Sequence, residues 1–282
     1  MRILITGAGG QVGHELAAAC AADETTATDH ASLDVSDRSA VLAAVMTLRP
    51  DAVLHAAAWT AVDACESDPA RAFAVNALGT RHVAEGAGRA GAHLVYFSTD
   101  YVFDGTKDGP YVEWDTPNPQ SVYGRSKLAG ELEARDVPGA TIVRLSWVCG
   151  AHGPNMVKTV LRLASEREEL AFVDDQRGHP TFADSAAPLV RRLVGDRRPG
   201  TYHVTNQGVV SWYQFARAVF EAAGLDPDRI RPISTAELDP PRPAPRPANS
   251  VLDNAALRLQ GLPLLPDYRV CLEALVARLL RS

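Results

Sequence analysis

Cysteine is scarce in this sequence and forms no recognisable pattern. The 282 residues include four cysteines, Cys20, Cys65, Cys149 and Cys271, with no Cys-x-x-Cys pair and no histidine at metal-ligand spacing beside them. Disulfide frameworks and zinc clusters need such spacings. We therefore predict four buried thiols and exclude both kinds of site.

Long apolar runs are also missing. No stretch approaches the roughly 18 consecutive apolar residues of a membrane-spanning helix. The chain runs directly into a predicted strand at residues 2–6, without the charged and cleavable apolar segments of a secretion signal. We therefore expect a cytoplasmic protein with no membrane partner.

Positive charge is in deficit. The chain has 28 Lys and Arg residues against 34 Asp and Glu, a formal net charge of −6, and no run of basic side chains that could follow a phosphate backbone. Nucleic acid is therefore not an expected partner. The length and the hydrophobic content of 46% suit one large α/β domain, alone or with a smaller appendage.

Short apolar runs alternate with helical periodicity in the first half of the chain. The runs have strand length and no strict polar alternation, as expected for strands buried on both faces. They lie at residues 2–6, 25–28, 52–55, 93–97 and 141–145, and the helical stretches between them include 39–48 and 70–90. This pattern predicts an α/β fold with a Rossmann-type doubly wound parallel sheet over residues 1–150.

The second half is less regular and predicts a smaller substrate-binding region over residues 151–282, with some strands and helices contributed to the first domain. Its predicted helices lie at 156–165, 184–194 and 211–223, and its strands at 170–173 and 202–204. The segment 239–247 contains too many prolines for a helix or a central strand, because proline lacks the amide donor. We predict an extended loop there.

A glycine-rich segment follows the first strand. Gly7, Gly10 and Gly13 precede an apolar helix, with Gln11 and Val12 between them. Small residues let the backbone approach a pyrophosphate, whose charge a helix N-terminus stabilises. The segment predicts a dinucleotide site rather than an ordinary strand-helix turn.

Acidic residues follow the second strand. Asp29 is placed to accept hydrogen bonds from the adenosine ribose, a role that a 2′-phosphate would oppose, and no Arg or Lys lies beside it. We therefore expect NADH or NADPH as cofactor, with NADH slightly favoured. The neighbouring His30 complicates this preference for NADH. Asp34 and Val35 are placed to contact the adenine, although Asp34 or Asp37 is also suited to cap the next helix.

Tyr123 and Lys127 form an i,i+4 pair. Such residues share one helix face, so the ammonium group is placed to lower the pKa of the phenol. The pair predicts a proton donor, and with the glycine segment it indicates hydride transfer.

Together with Thr99, these features resemble the extended short-chain dehydrogenase/reductase family over nearly the whole chain. The motifs that carry the resemblance are residues 10–13, 56–63, 98–105, the Tyr123/Lys127 pair, 144–147, 174–181 and 246–250. Their closest likeness is to reductases of nucleotide-linked sugars. The resemblance implies reduction of the C4 ketone of dTDP-4-dehydro-L-rhamnose to dTDP-L-rhamnose, with Tyr123 as the proton donor.

The resemblance also implies the roles of individual residues. The catalytic residues would be Tyr123, Lys127 and Thr99. The cofactor would contact Gly7, Gly10, Gln11, Val12, Asp29, Asp34, Val35, Ala58, Trp59, Thr60, Tyr123 and Lys127. The sugar nucleotide would contact Thr99, Asp100, Tyr123, Trp147 and Arg246. Trp147 is also compatible with a core aromatic residue, and Arg246 with a solvated loop cation.

A metal site is doubtful on the sequence. Some family members bind a divalent ion through glutamates at a dimer interface, and Glu15 matches one such position. Asp184 stands where a second glutamate would be sought, and residues 267–270 offer no match. We therefore predict no metal ligands, and a homodimer remains possible without an ion.

Three other functions remain open. The first is a nucleotide-sugar dehydratase or epimerase of the same fold, which keeps its cofactor bound through an internal oxidation and reduction. A dehydratase would carry a carboxylate pair directly after the threonine, whereas Asp100 is followed by Tyr101. A 4-ketoreductase for another nucleotide-linked 4-keto-6-deoxysugar is compatible with every motif. A non-catalytic regulatory subunit of the same fold, like the beta subunit of methionine adenosyltransferase, is disfavoured by the intact Tyr123 and Lys127.

Overall fold

A six-stranded parallel sheet forms the centre of the computed structural model, which describes residues 1–281. Residues 1–281 form twelve strands, six of them in this sheet. They are β1 Arg2–Thr6, β2 Glu24–Thr28, β3 Ala52–His55, β4 His93–Thr99, β5 Thr141–Leu145, β6 Val148–Cys149, β7 Leu170–Val173, β8 Arg177–Gly178, β9 Thr181–Phe182, β10 Gly200–His203, β11 Val210–Ser211 and β12 Ile230–Ile233.

The central sheet has the order β10-β5-β4-β3-β1-β2. Successive strands add to one side of β1 and then to the other, so the winding direction reverses between β1 and β3. In such sheets, ligands bind beyond the carboxyl ends of the strands at this reversal. The predicted α/β fold with a doubly wound parallel sheet is confirmed.

Helices cover both faces of the sheet. They are α1 Gln11–Ala19, α2 Arg38–Leu48, α3 Val62–Ser67, α4 Pro69–Phe73, α5 Gly79–Ala90, α6 Val122–Arg135, α7 Met156–Glu166, α8 Ala183–Gly195, α9 Trp212–Ala222, α10 Ala255–Leu259 and α11 Tyr268–Leu279. Alternate strand residues face two cores, since side chains of a strand point to opposite sides. Ile3 and Ile5 pack with Leu16 of α1, and Leu4 packs with Val83 of α5.

The predicted helical stretch 70–90 is interrupted in the structure. A single π-helical turn, Ala74–Leu78, connects α4 to α5, and its flanking residues keep helical dihedrals. Such π-bulges occur frequently at functional sites. This one carries Asn76, whose fully buried side chain binds the backbone of Trp59.

The second half of the chain contributes to both regions of the molecule. Strand β10 pairs in parallel with β5, and α8 packs against α1. The remaining strands form three two-stranded sheets, β6 with β9, β7 with β12 and β8 with β11. A third core lies among these strands and helices α7, α9 and α11.

The proline-rich segment 239–247 contains no helix or strand, as predicted. It crosses to the first half of the chain, where the Ala244 amide donates to Asp63 at 3.1 Å. All four cysteines are free; Cys20, Cys65 and Cys149 are buried as predicted, whereas Cys271 is half-buried. Across residues 1–281, each helix is too short or too polar to span a membrane.

Candidate active site

The carboxyl ends of β1, β3, β4 and β5 border a cavity of about 350 Å³. Residues from widely separated parts of the sequence line it. They include Gly10, Gln11, Val12, Gly13, Ala58, Thr60, Thr99, Asp100, Tyr123, Lys127, Trp147 and Trp212. Thus the structure brings the predicted catalytic triad and much of the glycine segment to one place.

The glycine segment makes a close turn under α1. Gly7 has a φ of +75°, and a Cβ there would lie 2.5 Å from the Ala57 amide nitrogen. A side chain at Gly13 would overlap the Gly7 carbonyl oxygen. Gly10 precedes the helix, and no side chain caps its first turn. Gly7, Gly10 and Gly13, with the start of α1, form what we call the glycine cradle. It fits an anionic group such as a pyrophosphate, because helix N-termini present free amides and a positive dipole.

A second cavity, of about 530 Å³, adjoins the first and shares Gly10 and Ala58 with it. Its lining includes Asp29, Asp34 and Val35, which were predicted for the adenosine side of the cofactor. Gly7, His30, Trp59 and Arg71 line it as well. The two cavities therefore lie side by side, and each has a volume within the usual range of about 300 to 1,000 Å³ for ligand pockets.

Exposed Asp29 and half-buried Asp34 are carboxylates fixed by local hydrogen bonds. Asp29 accepts from the backbone and the hydroxyl of Ser32, which lowers the pKa of the carboxyl group. Ser36 binds Asp34 in the same way and lowers its pKa. Asp37, not Asp34, caps α2, by accepting from the Ala40 amide at 3.0 Å. Asp34 is therefore free of the capping role.

Arg71 is a cavity residue that the sequence analysis missed. Its guanidinium lies 4.6 Å from the centre of the Trp59 ring, in a cation-π arrangement. The residue belongs to α4, and no motif marks it. Only the fold brings this helix to the second cavity.

Helix α6 positions Tyr123 and Lys127 on one buried face. Its first turn is capped by Ser121, which accepts from the Gly124 amide at 3.0 Å. A side chain at Gly124 would overlap the Tyr101 carbonyl oxygen, so glycine lets the helix approach the turn after β4. Tyr123 is thereby placed beside Thr99, which is 6% exposed at the end of that strand.

The pKa of Tyr123 is raised in this structure, and Lys127 is held by the neighbouring strand. Its Nζ donates to the Phe97 carbonyl oxygen at 2.6 Å and lies 4.2 Å from the centre of the Tyr96 ring. Burial raises the pKa of Tyr123 above its ordinary value, despite a hydrogen bond with Thr99 that lowers it. Burial also lowers the pKa of Lys127 to about 7. The expected net lowering of the Tyr123 pKa is therefore not seen, because desolvation dominates.

A buried ion pair supports this part of the site. Arg144 on β5 donates from Nε and Nη2 to the two carboxylate oxygens of Glu131, both at 2.8 Å. Ser98 on β4 donates to the same carboxylate at 2.6 Å. These contacts tie α6 to β4, which ends at Thr99, and to β5, which precedes Trp147 in the sequence. Sequence reasoning missed Glu131, although its place one turn after Lys127 was a usable signal.

Asp100 lines the cavity with an unsatisfied oxygen. Its Oδ1 accepts from the Thr99 hydroxyl at 3.0 Å, whereas buried Oδ2 has no hydrogen-bond partner within residues 1–281. The neighbouring Ser250 hydroxyl donates instead to the Arg177 carbonyl oxygen. Burial raises the pKa of Asp100 to about 6. A group bound in the cavity can therefore gain a hydrogen bond to this carboxyl.

Trp147 borders the cavity rather than filling the core. Its φ of +44° is unusual for a bulky residue, and its ring stacks on Trp212 with centroids 3.5 Å apart. Gly178 lies beneath it, where a Cβ would be 2.7 Å from the indole. Trp212 is a second site residue that sequence reasoning missed, since no motif links α9 to Trp147.

Arg246 lies outside the lining of this cavity. Its Nη1 and Nη2 donate to the two Asp63 carboxylate oxygens at 2.5 and 2.8 Å. The pair holds the proline-rich loop against α3, and it lowers the pKa of Asp63. A contact between Arg246 and a substrate diphosphate stays a prediction.

A doubly wound sheet whose strand ends present a glycine cradle and a Thr/Tyr/Lys set defines an extended short-chain dehydrogenase/reductase. The family model "RmlD substrate binding domain" matches residues 1–281. The dTDP-4-dehydrorhamnose reductase of Burkholderia thailandensis is 43% identical, with 99% of each chain covered. The chain therefore belongs to the dTDP-4-dehydrorhamnose reductase family.

Solved structures agree with this assignment. A dTDP-4-dehydrorhamnose reductase from Clostridium acetobutylicum is 38% identical, covers 100% of each chain and gives a TM-score of 0.94. A Bacillus anthracis reductase in complex with NADP is 37% identical, covers 98% of this chain and 99% of its own, and gives 0.93. A Streptomyces antibioticus relative named "Probable dTDP-4,6-dihydroxy-2-methyloxan-3-one 4-ketoreductase" is 42% identical over 96% of this chain and 93% of its own length.

Proposed function

We propose that this protein reduces the C4 ketone of dTDP-4-dehydro-L-rhamnose to dTDP-L-rhamnose, using NADH or NADPH. The observation that carries the proposal is the shared cavity of Thr99, Tyr123 and Lys127, which continues into the glycine cradle. Family membership supplies the substrate class, because the relatives are named for this reaction.

Tyr123 and Thr99 would have different roles in the reduction of the ketone. A bound reduced nicotinamide would supply the hydride to C4, leaving negative charge on the ketone oxygen. Tyr123 would donate its phenolic proton to that oxygen, and burial keeps the phenol protonated before the reaction. The Thr99 hydroxyl, beside the phenol, would hold the same oxygen during the transfer.

Lys127 would act as a cofactor ligand and a local charge. Its Nζ is held by the Phe97 carbonyl oxygen at the base of the cavity, from which it can also reach a second acceptor. Family resemblance assigns that acceptor to the ribose hydroxyls next to the nicotinamide. In this role, Lys127 fixes the hydride donor relative to Tyr123.

Asp29 would favour NADH over NADPH. Its carboxylate is fixed by Ser32 at the edge of the adenosine cavity, where it can accept from ribose hydroxyls. Arg71 provides a compensating cation in the same cavity. We therefore infer use of both cofactors, with the lower KM for NADH.

The second half would bind the sugar nucleotide. Trp147 and Trp212 form one wall of the cavity, and Asp100 offers its free oxygen to a sugar hydroxyl. Arg246 would have to leave Asp63 to meet a diphosphate, which costs a well-formed bidentate pair. The contacts therefore favour a structural role for Arg246, in which it holds the proline-rich loop against α3.

The second candidate is reduction of another nucleotide-linked 4-keto-6-deoxysugar. The 42% identity to the Streptomyces antibioticus relative, named for such a ketone, supports it. Water elimination is disfavoured, since Tyr101 occupies the position after Asp100 where a dehydratase would need a second carboxylate.

Loss of reduced-nicotinamide absorbance tests the proposal. The protein is mixed with NADH or NADPH and dTDP-4-dehydro-L-rhamnose, and with a panel of related 4-keto sugar nucleotides as comparison. We expect oxidation only when the sugar is present, fastest with the rhamnose precursor. If no sugar supports oxidation, the proposed reductase activity is contradicted and a regulatory subunit is favoured. If another sugar nucleotide is reduced faster than the rhamnose precursor, the second candidate function is established.

A further inference from the structure

An amide side chain from the second half of the chain reaches the start of the glycine cradle. Gln11 is the first residue of α1, and it lines the cavity that contains Tyr123. Asn155 directly precedes α7, 144 positions further along the chain, and its Nδ2 donates to Gln11 Oε1 at 3.0 Å. Asn155 lies outside the lining of that cavity, so it can influence a ligand there through Gln11.

Asn155 is itself held in one orientation. Its Nδ2 also donates to the Gly150 carbonyl oxygen at 2.8 Å, and its Oδ1 accepts from the Lys158 amide at 3.2 Å, which caps the start of α7. The Lys158 ammonium group donates to the Ala151 carbonyl oxygen at 2.6 Å and steadies the same loop. Because the oxygen of the Asn155 amide must face the helix, its nitrogen is directed at Gln11.

The half-buried Gln11 side chain is enclosed by this loop. Its Nε2 donates to the Val148 carbonyl oxygen at 3.4 Å, a long hydrogen bond. Gly153 has a φ of +68°, and a Cβ there would lie 3.1 Å from Gln11 Cγ, so the loop passes close to the side chain. The 3.0 Å bond from Asn155 is the shorter of the two bonds to the Gln11 amide and therefore its main constraint.

We propose that Asn155 is a positioning residue for the dinucleotide, because it fixes the Gln11 side chain at the glycine cradle before the cofactor binds. A mobile glutamine side chain loses rotamer freedom when a ligand orders it. Where the side chain is already fixed, binding does not carry this cost. The inference rests on the proposed cofactor site, in which Gln11 contacts the dinucleotide, and it adds a residue of the second half that sets the affinity of that site.

Equilibrium titration of the full chain with NADH, followed by fluorescence and without any sugar, tests the inference. Asn155→Ser is the informative variant. Serine caps helices as well as asparagine does, so α7 keeps its first turn, but the shorter side chain cannot reach Gln11. Asn118→Ser is the matched control, since it also loses a 3.0 Å amide hydrogen bond, to Asp104, outside the cavity lining.

We expect Asn155→Ser to raise the dissociation constant for NADH about three- to tenfold, the effect of one hydrogen bond, and Asn118→Ser to leave it unchanged. With the sugar nucleotide present, the KM for NADH should rise by a similar factor. The value of kcat should change less, because Asn155 does not contact the reacting groups. Melting curves show whether each variant is folded, and Asn155→Thr, which also keeps a capping hydroxyl, replaces the serine variant if that protein does not fold.

A double-mutant cycle with Gln11→Leu separates positioning from a general loosening of the loop. If Asn155 acts through Gln11, the serine substitution has no further effect on NADH affinity once the Gln11 amide is gone. Unchanged affinity in folded Asn155→Ser, equal loss in Asn118→Ser, or the full effect of Asn155→Ser in the Gln11→Leu background would overturn the inference and leave the proposed cofactor use intact. A wild-type protein that binds neither NADH nor NADPH would overturn both.

Discussion

Tyr123 combines burial with a neighbouring hydroxyl, and this sets how it can act. Burial raises the pKa of its phenol, so the proton is present before reaction, and Thr99 is placed to share the developing charge. The spacing of Tyr123 and Lys127 was sufficient to predict the pair. The hydrogen bond from Lys127 to the Phe97 carbonyl oxygen was not predictable from the sequence. It depends on how α6 packs against β4.

Replacement of Tyr123 by Phe should remove most turnover and leave cofactor affinity nearly unchanged. The ring still packs in the same place, but the proton donor is gone, and such donors contribute about 10²- to 10⁴-fold. Steady-state kinetics and NADH titration measure the two quantities. Tyr111→Phe is the matched control, since its hydroxyl binds Asp104 outside the cavity. Equal kcat values for Tyr123→Phe and wild type would remove Tyr123 from the proposed role.

Lys127 should make the stability of the cofactor-free protein rise with pH. Burial lowers its pKa from 10.5 to about 7, so between these values the unfolded chain binds more protons than the folded one. The free energy of unfolding therefore increases as pH rises from about 7 toward 10.5, and the penalty is fully present below that range.

The Lys127→Met variant isolates this contribution. It keeps an unbranched side chain of similar length but has no proton to lose, so the lysine-dependent part of the pH slope should disappear. Urea unfolding of both proteins at several pH values in this range gives the comparison. Parallel slopes for the two proteins would show that Lys127 titrates normally in the folded state.

At the scale of elements, the site depends on irregular segments that the sequence pattern did not reveal. Helical periodicity predicted one helix over residues 70–90. The structure has a π-helical turn within it, Ala74–Leu78, which places the Asn76 side chain in hydrogen-bond contact with the backbone of Trp59. The capping box of Ser211 and Gln214 makes the start of α9 readable from sequence. Its consequence, the stacking of Trp212 on Trp147, was not readable, because no local pattern encodes contacts between distant elements.

Trp212→Ala should raise the KM for the sugar nucleotide by about 10-fold or more and leave NADH affinity unchanged. The substitution removes one face of the stack that forms the cavity wall, and stacked aromatic pairs are worth about 0.5 to 1.5 kcal/mol beyond their buried area. Initial rates over a range of sugar concentrations measure the change. Trp114→Ala provides the control, since that side chain is 66% exposed and lies outside the lining. If both variants behave alike, the stack is not part of the substrate wall.

At the scale of the whole molecule, alternation of short apolar runs and helices was enough to predict the fold class and five of the six strands in residues 1–150 to within two residues. The two-residue strand β6 was missed. The division of labour between residues 1–150 and 151–282 remains a prediction about function. What the sequence did not indicate is that β10 lies next to β5, since strand neighbours are chosen by long-range pairing and not by local periodicity. A homodimer likewise remains a prediction.

The contribution of β10 and α8 predicts that residues 1–150 cannot form a stable domain alone. Without β10, the amides and carbonyls of β5 from Thr141 to Arg144 lose their partners on one side. Leu193 of α8 belongs to the same core cluster as Leu16 and the apolar residues on one face of the sheet. Without α8, Leu16 and that face of the sheet become exposed. Buried apolar surface and paired edge strands are what stabilise such a sheet, so the fragment should unfold without cooperativity.

Thermal and urea unfolding followed by circular dichroism tests this expectation, with the intact chain as the control. The fragment should also show little amide protection in β5 and no measurable NADH binding, although it retains the entire glycine cradle and Asp29. A cooperative transition together with NADH binding would show instead that the cofactor half is an autonomous unit and that β10 only extends it. The expected result means that the substrate-binding half is also required to build the cofactor site, because its strand and helix complete the sheet from which Thr99 and the glycine cradle project.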